Sequence, residues 1–238
     1  MIFHELEHLI GVPWVIQATL FAAVLLLVCG FMVRARVAGP RGGVIPDEGT
    51  SVRNVLEVLV AWLAGMAQDR MGPNWRRYFP LIGTLFFFIL ISNVIGLVPG
   101  FLGATGDVNM TAACAVVVWV FYTAIGITTH GWKYVLKFTG PGLFDLHIGG
   151  RHIHVRALAP LFLPLELLLD LARMLTLAVR LLANMFADHT VVAVWLAIVP
   201  FAVPAIFMGL GLIVAFLQAF VFALLAMIYI GLSLDEPH

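Results

Sequence analysis

The chain has 238 residues, of which 62% are apolar and 11% charged, against roughly 25% charged in soluble domains. Its mean hydropathy is +1.05, far more apolar surface than a soluble core of this length can use, so the composition points to an integral membrane protein. Lys plus Arg and Asp plus Glu both number 13, which provides neither a basic face for nucleic acid nor an acidic tail.

Cys29 and Cys114 both lie within apolar runs. A thiol there is a small hydrophobe, and two such thiols make no disulfide framework. The N-terminal MIFHELEHLIGVPW lacks the basic n-region of a signal peptide, so the first apolar segment is expected to be retained. That segment, residues 15–33, is uncharged and long enough to cross a ~30 Å hydrocarbon core as a helix. Arg34, Arg36 and Arg41 follow it among Gly39, Pro40, Gly42 and Gly43, which start a loop.

Residues 54–71 mix apolar positions with Glu57, Gln68, Asp69 and Arg70, a pattern suited to an amphipathic helix on the membrane surface. Residues 78–98 read as a second span, entered through Trp75, Arg76 and Arg77 as interfacial anchors. Residues 110–128 read as its hairpin partner. Between His130 and Pro160 lies a polar stretch rich in Gly, His and Pro, read as a short β-hairpin or irregular loop. Residues 161–189 and 204–233 follow, roughly 43 to 45 Å each as helices. That exceeds the bilayer, so they should tilt or bend and pack as a long hairpin. The fold class is therefore an all-α polytopic membrane protein forming one integral membrane domain.

Charge along the loops sets the orientation. Arg34, Arg36, Arg41, Arg53, Arg70, Arg76 and Arg77 lie between the first two spans, and Lys133, Lys137, Arg151 and Arg156 precede the first long helix. Residues 99–109 carry only Asp107, and 190–203 carry no charge. By the positive-inside rule the basic loops and the C-terminus are cytoplasmic and the N-terminus is outside.

Charges also interrupt the first long helix. Glu166, Asp170, Arg173, Arg180, Asn184 and Asp188 follow one another at helical spacings that put all six on one face, with Leu177 filling the row. An Arg facing lipid at the bilayer centre costs roughly 2.5 to 3.5 kcal/mol even on insertion scales. The stripe must therefore face protein or a water-filled path. Glu166, Asp170 and Arg173 fit either an ion path or an interfacial helix end paired with itself. Arg180, with apolar neighbours throughout, is the residue that calls for a function.

Other chemistry is less well placed. HELEH, His4 to His8, has the spacing of a zinc protease motif, but nothing upstream covers it, Pro13 follows closely and no third ligand is near. His147, His152 and His154 lie in a glycine-bearing loop without cysteines or an acidic cluster, the pattern of surface groups, so no metal is assigned. A secondary transporter with an intramembrane arginine is the rival reading, yet the two long helices share length without sharing pattern. No phosphate-binding glycine loop occurs, so no nucleotide site and no cofactor are expected.

The segment RLLANMFADH, Arg180 to His189, resembles the signature of the a subunit of rotary F-type ATP synthases: an arginine followed by Leu, then Asn and Met. Gln218 and Tyr229 in LQAFVFALLAMIY, Asn93 and Pro99 in NVIGLVP, and Asp107 with Asn109 in DVNMT match further family positions. The resemblance implies a stator subunit without a catalytic centre of its own. It would hold two offset proton half-channels against a rotating ring of c subunits, with Arg180 between them. Asn184, Gln218, Asp188, His189 and Tyr229 would join in ion translocation, with Asp107, Asn109 and Asn93 as outward candidates and Glu166, Asp170 and Arg173 as inward ones. Partners would be the c ring, b-type peripheral stalk subunits and through them the soluble F1 sector, in a bacterial inner membrane. Two departures stand out: Gly211 where the family often bridges the long helices, and Gly96 where it often has an acid. His189 is expected to point toward the helix of Gln218, opposite Gly211.

Overall fold

The computed structural model describes residues 5, 7, 11–37, 51–98, 100–131, 144–148, 151–155, 159–198 and 202–234. The helices are α1 (Trp14–Val37), α2 (Val52–Met71), α3 (Trp75–Leu97), α4 (Val108–His130), α5 (Ala159–Ile198) and α6 (Ala202–Leu234). A 3₁₀ turn, Gly72–Asn74, joins α2 to α3, so that residues 53–97 form one helical stretch. Another, Ala104–Gly106, leads into α4. Between α4 and α5, Phe144–Ile148 and Arg151–Val155 pair as an antiparallel hairpin, which decides between the two forms expected for that polar stretch.

Among the described residues five stretches are long and apolar enough to cross a bilayer: Trp14–Ala35, Arg53–Leu97, Val108–His130, Leu168–Ile198 and Val203–Leu234. The architecture is all-α and polytopic. α5 runs on past His189 to Ile198, because residues 190–198 contain neither Gly nor Pro to stop it. At ~1.5 Å per residue its 40 residues extend roughly 60 Å.

α6 is the hub, packing most extensively on α3 and also on α2, α4 and α5. Its buried face carries Ala215, Ala219, Ala223 and Ala226 together with Phe222, Met227 and Ile230. In lipid, apolar contact alone does not favour one helix over another, so small residues that allow close backbone approach decide the packing. Leu63, Ala67, Phe86, Ile89, Val118 and Leu181 complete the core. α1 sits at the margin, with Ala18 against Ala104 and Phe101. Capping fixes two helix starts: Ser51 Oγ accepts from Asn54 N at 3.3 Å, and Asp107 Oδ1 from Asn109 N at 2.7 Å.

α2 ends against α6 at one tight point. A Cβ on Gly231 would lie 2.5 Å from the Arg70 carbonyl oxygen, a backbone atom that cannot rotate aside. Gly231→Ala should therefore destabilise the packing by about 1–3 kcal/mol. Gly209→Ala, whose Cβ meets nothing within 4 Å, is the control. Melting of the purified complex in detergent should drop for the first and not for the second.

Candidate functional site

The polar row of α5 lies where the helix passes from protein to open surface. Asp170, Leu177, Leu181 and Met185 are buried toward the core, and Arg173, Arg180, Asn184, Asp188 and His189 are half-buried beside them. Val179, Ala183, Phe186 and Ala187 are exposed on the far side. Only 11% of the apolar window in α5 is buried, against 44% in α6, so the described residues leave most of α5 uncovered.

Arg180 stands at that boundary. Among the described residues it makes no ion pair or hydrogen bond. One turn on, Asn184 Nδ2 donates to Gln218 Oε1 of α6 at 2.8 Å, so a polar contact ties the two long helices beside the guanidinium.

Toward the start of α5, Asp170 is held by α4. Trp119 Nε1 donates to its Oδ2 at 2.9 Å and Tyr122 Oη to its Oδ1 at 2.7 Å. Arg173 approaches the same carboxylate at 3.7 Å and lies over the Tyr229 ring at 5.9 Å, while the rings of Tyr122 and Tyr229 are 5.8 Å apart. Asp170, Arg173 and Tyr229 thus form one cluster with two residues, Trp119 and Tyr122, that sequence reasoning missed. The side chain of Glu166 lies outside the described residues, as do the side chains of His147, His152 and His154 and all of His4 and His8.

Toward the other end, His189 does not point at α6. Its Nε2 would lie 3.2 Å from a Cβ placed on Gly96 of α3, and Gly211 is instead covered by the Leu97 side chain, 2.5 Å from where its Cβ would be. The glycine at 96 is thus the position against which the imidazole packs. A pocket of about 150 Å³ opens there, lined by Asp188, His189, Gly96, Gly100 and Met185 among others. His189 Nε2 is buried without a hydrogen-bond partner among the described residues.

Behind this pocket is a second polar group. Thr105 Oγ1 donates to Asn93 Oδ1 at 2.6 Å, Asn93 Nδ2 to the Ala215 carbonyl of α6 at 3.4 Å, and Ser92 Oγ is buried with no partner among the described residues. Asn93 therefore belongs to the α3–α6 seam. Asp107 and Asn109 stand apart from the pocket, Asp107 serving as the cap of α4 and Asn109 exposed.

The sequence settles whose site this is. Residues 16–231 match the family described as ATP synthase A chain. The chain belongs to that family. It is 39% identical over 236 residues to ATP synthase subunit a 1 of Syntrophotalea carbinolica, covering 98% of this chain and 92% of that one. It is 42% identical over 189 residues to ATP synthase subunit a of Geobacter sulfurreducens, covering 79% and 77%. The corresponding protein of Citrifermentans bemidjiense is 38% identical over 238 residues, covering 99% and 96%. The family is that of the proton-translocating membrane subunit of a multisubunit ATP synthase, which is not itself catalytic.

Proposed function

We propose that this subunit forms two proton half-channels against a ring of c subunits and couples proton flow to rotation. The observation that carries the reading is Arg180: a guanidinium on a membrane helix, uncommitted within the described residues, at the edge of a face this chain leaves bare. Arg is effectively never deprotonated, so it attracts an ionised rotor carboxylate and bars direct proton passage between the half-channels.

The outward path runs through the pocket of Asp188 and His189 to Asn93, Asn184 and Gln218. The inward path lies along Glu166, Asp170, Arg173 and Tyr229. The basic loops face the cytoplasm of a bacterial cell, α2 lies along the inner surface, and the N-terminus is outside. The b-type stalk subunits link the chain to the soluble F1 sector. An imidazole suits the relay, since one ring nitrogen accepts a proton while the other gives one.

The test is proton-pumping rate against external pH in membrane vesicles of wild type, His189→Ala, Asp188→Asn and the double variant, with c and b chains shown to co-purify with each variant in mild detergent. The variants should pump more slowly, with displaced profiles. Four superimposed profiles would remove the outward assignment from His189 and Asp188 and move it to Asp107 and Asn109.

A further inference from the structure

Two buried polar groups lie near one apolar side chain that touches the glycines beside both. One is the pocket with His189 Nε2, and the other the cluster of Ser92, Asn93 and Thr105. The apolar side chain is Met185, 3% exposed, reaching from α5 to α3. Its terminal methyl would be 2.5 Å from a Cβ on Gly96 and 3.0 Å from a Cβ on Gly103, so it occupies the room these two glycines leave. Gly103 in turn lies against the Ser92 carbonyl oxygen, bringing its backbone next to the second cluster.

Each side has a reason to hold water. His189 Nε2 and Ser92 Oγ lack a partner among the described residues, and a buried polar atom left unpaired costs roughly 1–3 kcal/mol. The pocket offers about 150 Å³, and a water needs only space for about one probe sphere with two to four polar partners. The methyl of Met185 offers no hydrogen bond, so a water chain cannot pass while it is seated. A thioether on three rotatable bonds is also the side chain best able to leave and return.

We propose that Met185 is the gate of the outward path, dividing an outer water space at His189 from an inner one at Ser92, Asn93 and Thr105. The proposal rests on the outward-path reading and adds to it the residue that sets water continuity. A gate of this kind admits protons by side-chain rotation while the helices stay in place.

The experiment uses the assembled synthase in membrane vesicles with Cys29→Ala and Cys114→Ala, so that Ser92→Cys is the sole thiol of this subunit. A small methanethiosulfonate reagent, added to each side in turn, reacts only with a thiolate in contact with water. Met185→Ala removes the plug. Met185→Gln keeps its length but carries water on its amide. Met185→Leu keeps an apolar plug of similar volume. Labelling from the side carrying residues 99–109 should rise about tenfold with alanine and glutamine, which corresponds to roughly 1.4 kcal/mol off the opening cost, and stay near wild type with leucine. Should the alanine variant fail to assemble, glutamine against leucine decides. Equal rates in all backgrounds, or a rise with leucine as large as with glutamine, overturns the gate. Failure of the path itself reads differently: proton conduction would then survive His189→Ala with Asp188→Asn, whatever the labelling at position 92.

Discussion

Arg180→Ala is expected to abolish proton-driven ATP synthesis while leaving the complex assembled. Arg180 makes no ion pair or hydrogen bond among the described residues, so its removal leaves no partner unsatisfied in this chain. The loss falls on the partner carboxylate, which would no longer be drawn past a fixed cation. Each charge crossing 100 mV releases about 2.3 kcal/mol, and without the barrier that energy drains as a leak instead of turning the ring. Arg180→Lys should fail too, since an ammonium shifts its pKa readily when buried and lacks the rigid planar fork. Synthesis is measured in vesicles under an imposed gradient, with passive proton flux measured after the soluble sector is stripped. Normal synthesis in the alanine variant would end the stator reading. Lost synthesis together with lost c subunits would move Arg180 to an assembly role.

Much of this site was legible because helical spacing is a strict rule. Polar residues at 170, 173, 180, 184 and 188 must share one side of a helix, and an arginine within an apolar run must find something other than lipid. That reasoning singled out Arg180 and Asn184, while Gln218, which meets Asn184 at 2.8 Å, came only from the family resemblance. It did not identify what faces them from elsewhere in the chain. Trp119 and Tyr122 are three apart, hence on one face of α4, but nothing local says that this face meets Asp170 roughly fifty residues later. The direction of His189 was misread for a similar reason. A step of one residue turns the helix by about 100°, so a histidine next to the stripe lies toward either neighbour, and the absence of a side chain at Gly96 decided which. Asp107 was read only as an outward candidate through the family resemblance, and its carboxylate instead accepts from Asn109 N as the cap of α4.

Asp170 should prove the costliest polar residue to remove from the fold. Its two carboxylate oxygens take hydrogen bonds from Trp119 at 2.9 Å and Tyr122 at 2.7 Å, and it is 8% exposed. Hydrogen bonds to charged groups in water-soluble proteins contribute about 1.5–3 kcal/mol each, whereas interhelical polar contacts in membranes average about 0.6 and reach about 1.7. The lower scale governs here, because a helix released within the bilayer finds other partners for its polar groups. Asp170→Asn keeps one acceptor and should cost roughly 0.6–1.7 kcal/mol; Asp170→Ala loses both bonds and should cost roughly 1.2–3.4 kcal/mol. Trp119→Phe removes one donor while keeping most of the ring volume, so it isolates a single bond. Melting of the detergent-purified complex should fall in the order wild type, Trp119→Phe, Asp170→Asn, Asp170→Ala. The double variant Trp119→Phe with Asp170→Ala should be less destabilised than the two single losses added together, because both remove the same bond. Strict additivity would show that the α4 to α5 contact is not the one that holds Asp170. Restored melting with Asp170→Glu but slowed proton flux would separate the two roles, since the longer carboxylate can still accept both bonds while displacing Arg173 from its place over Tyr229.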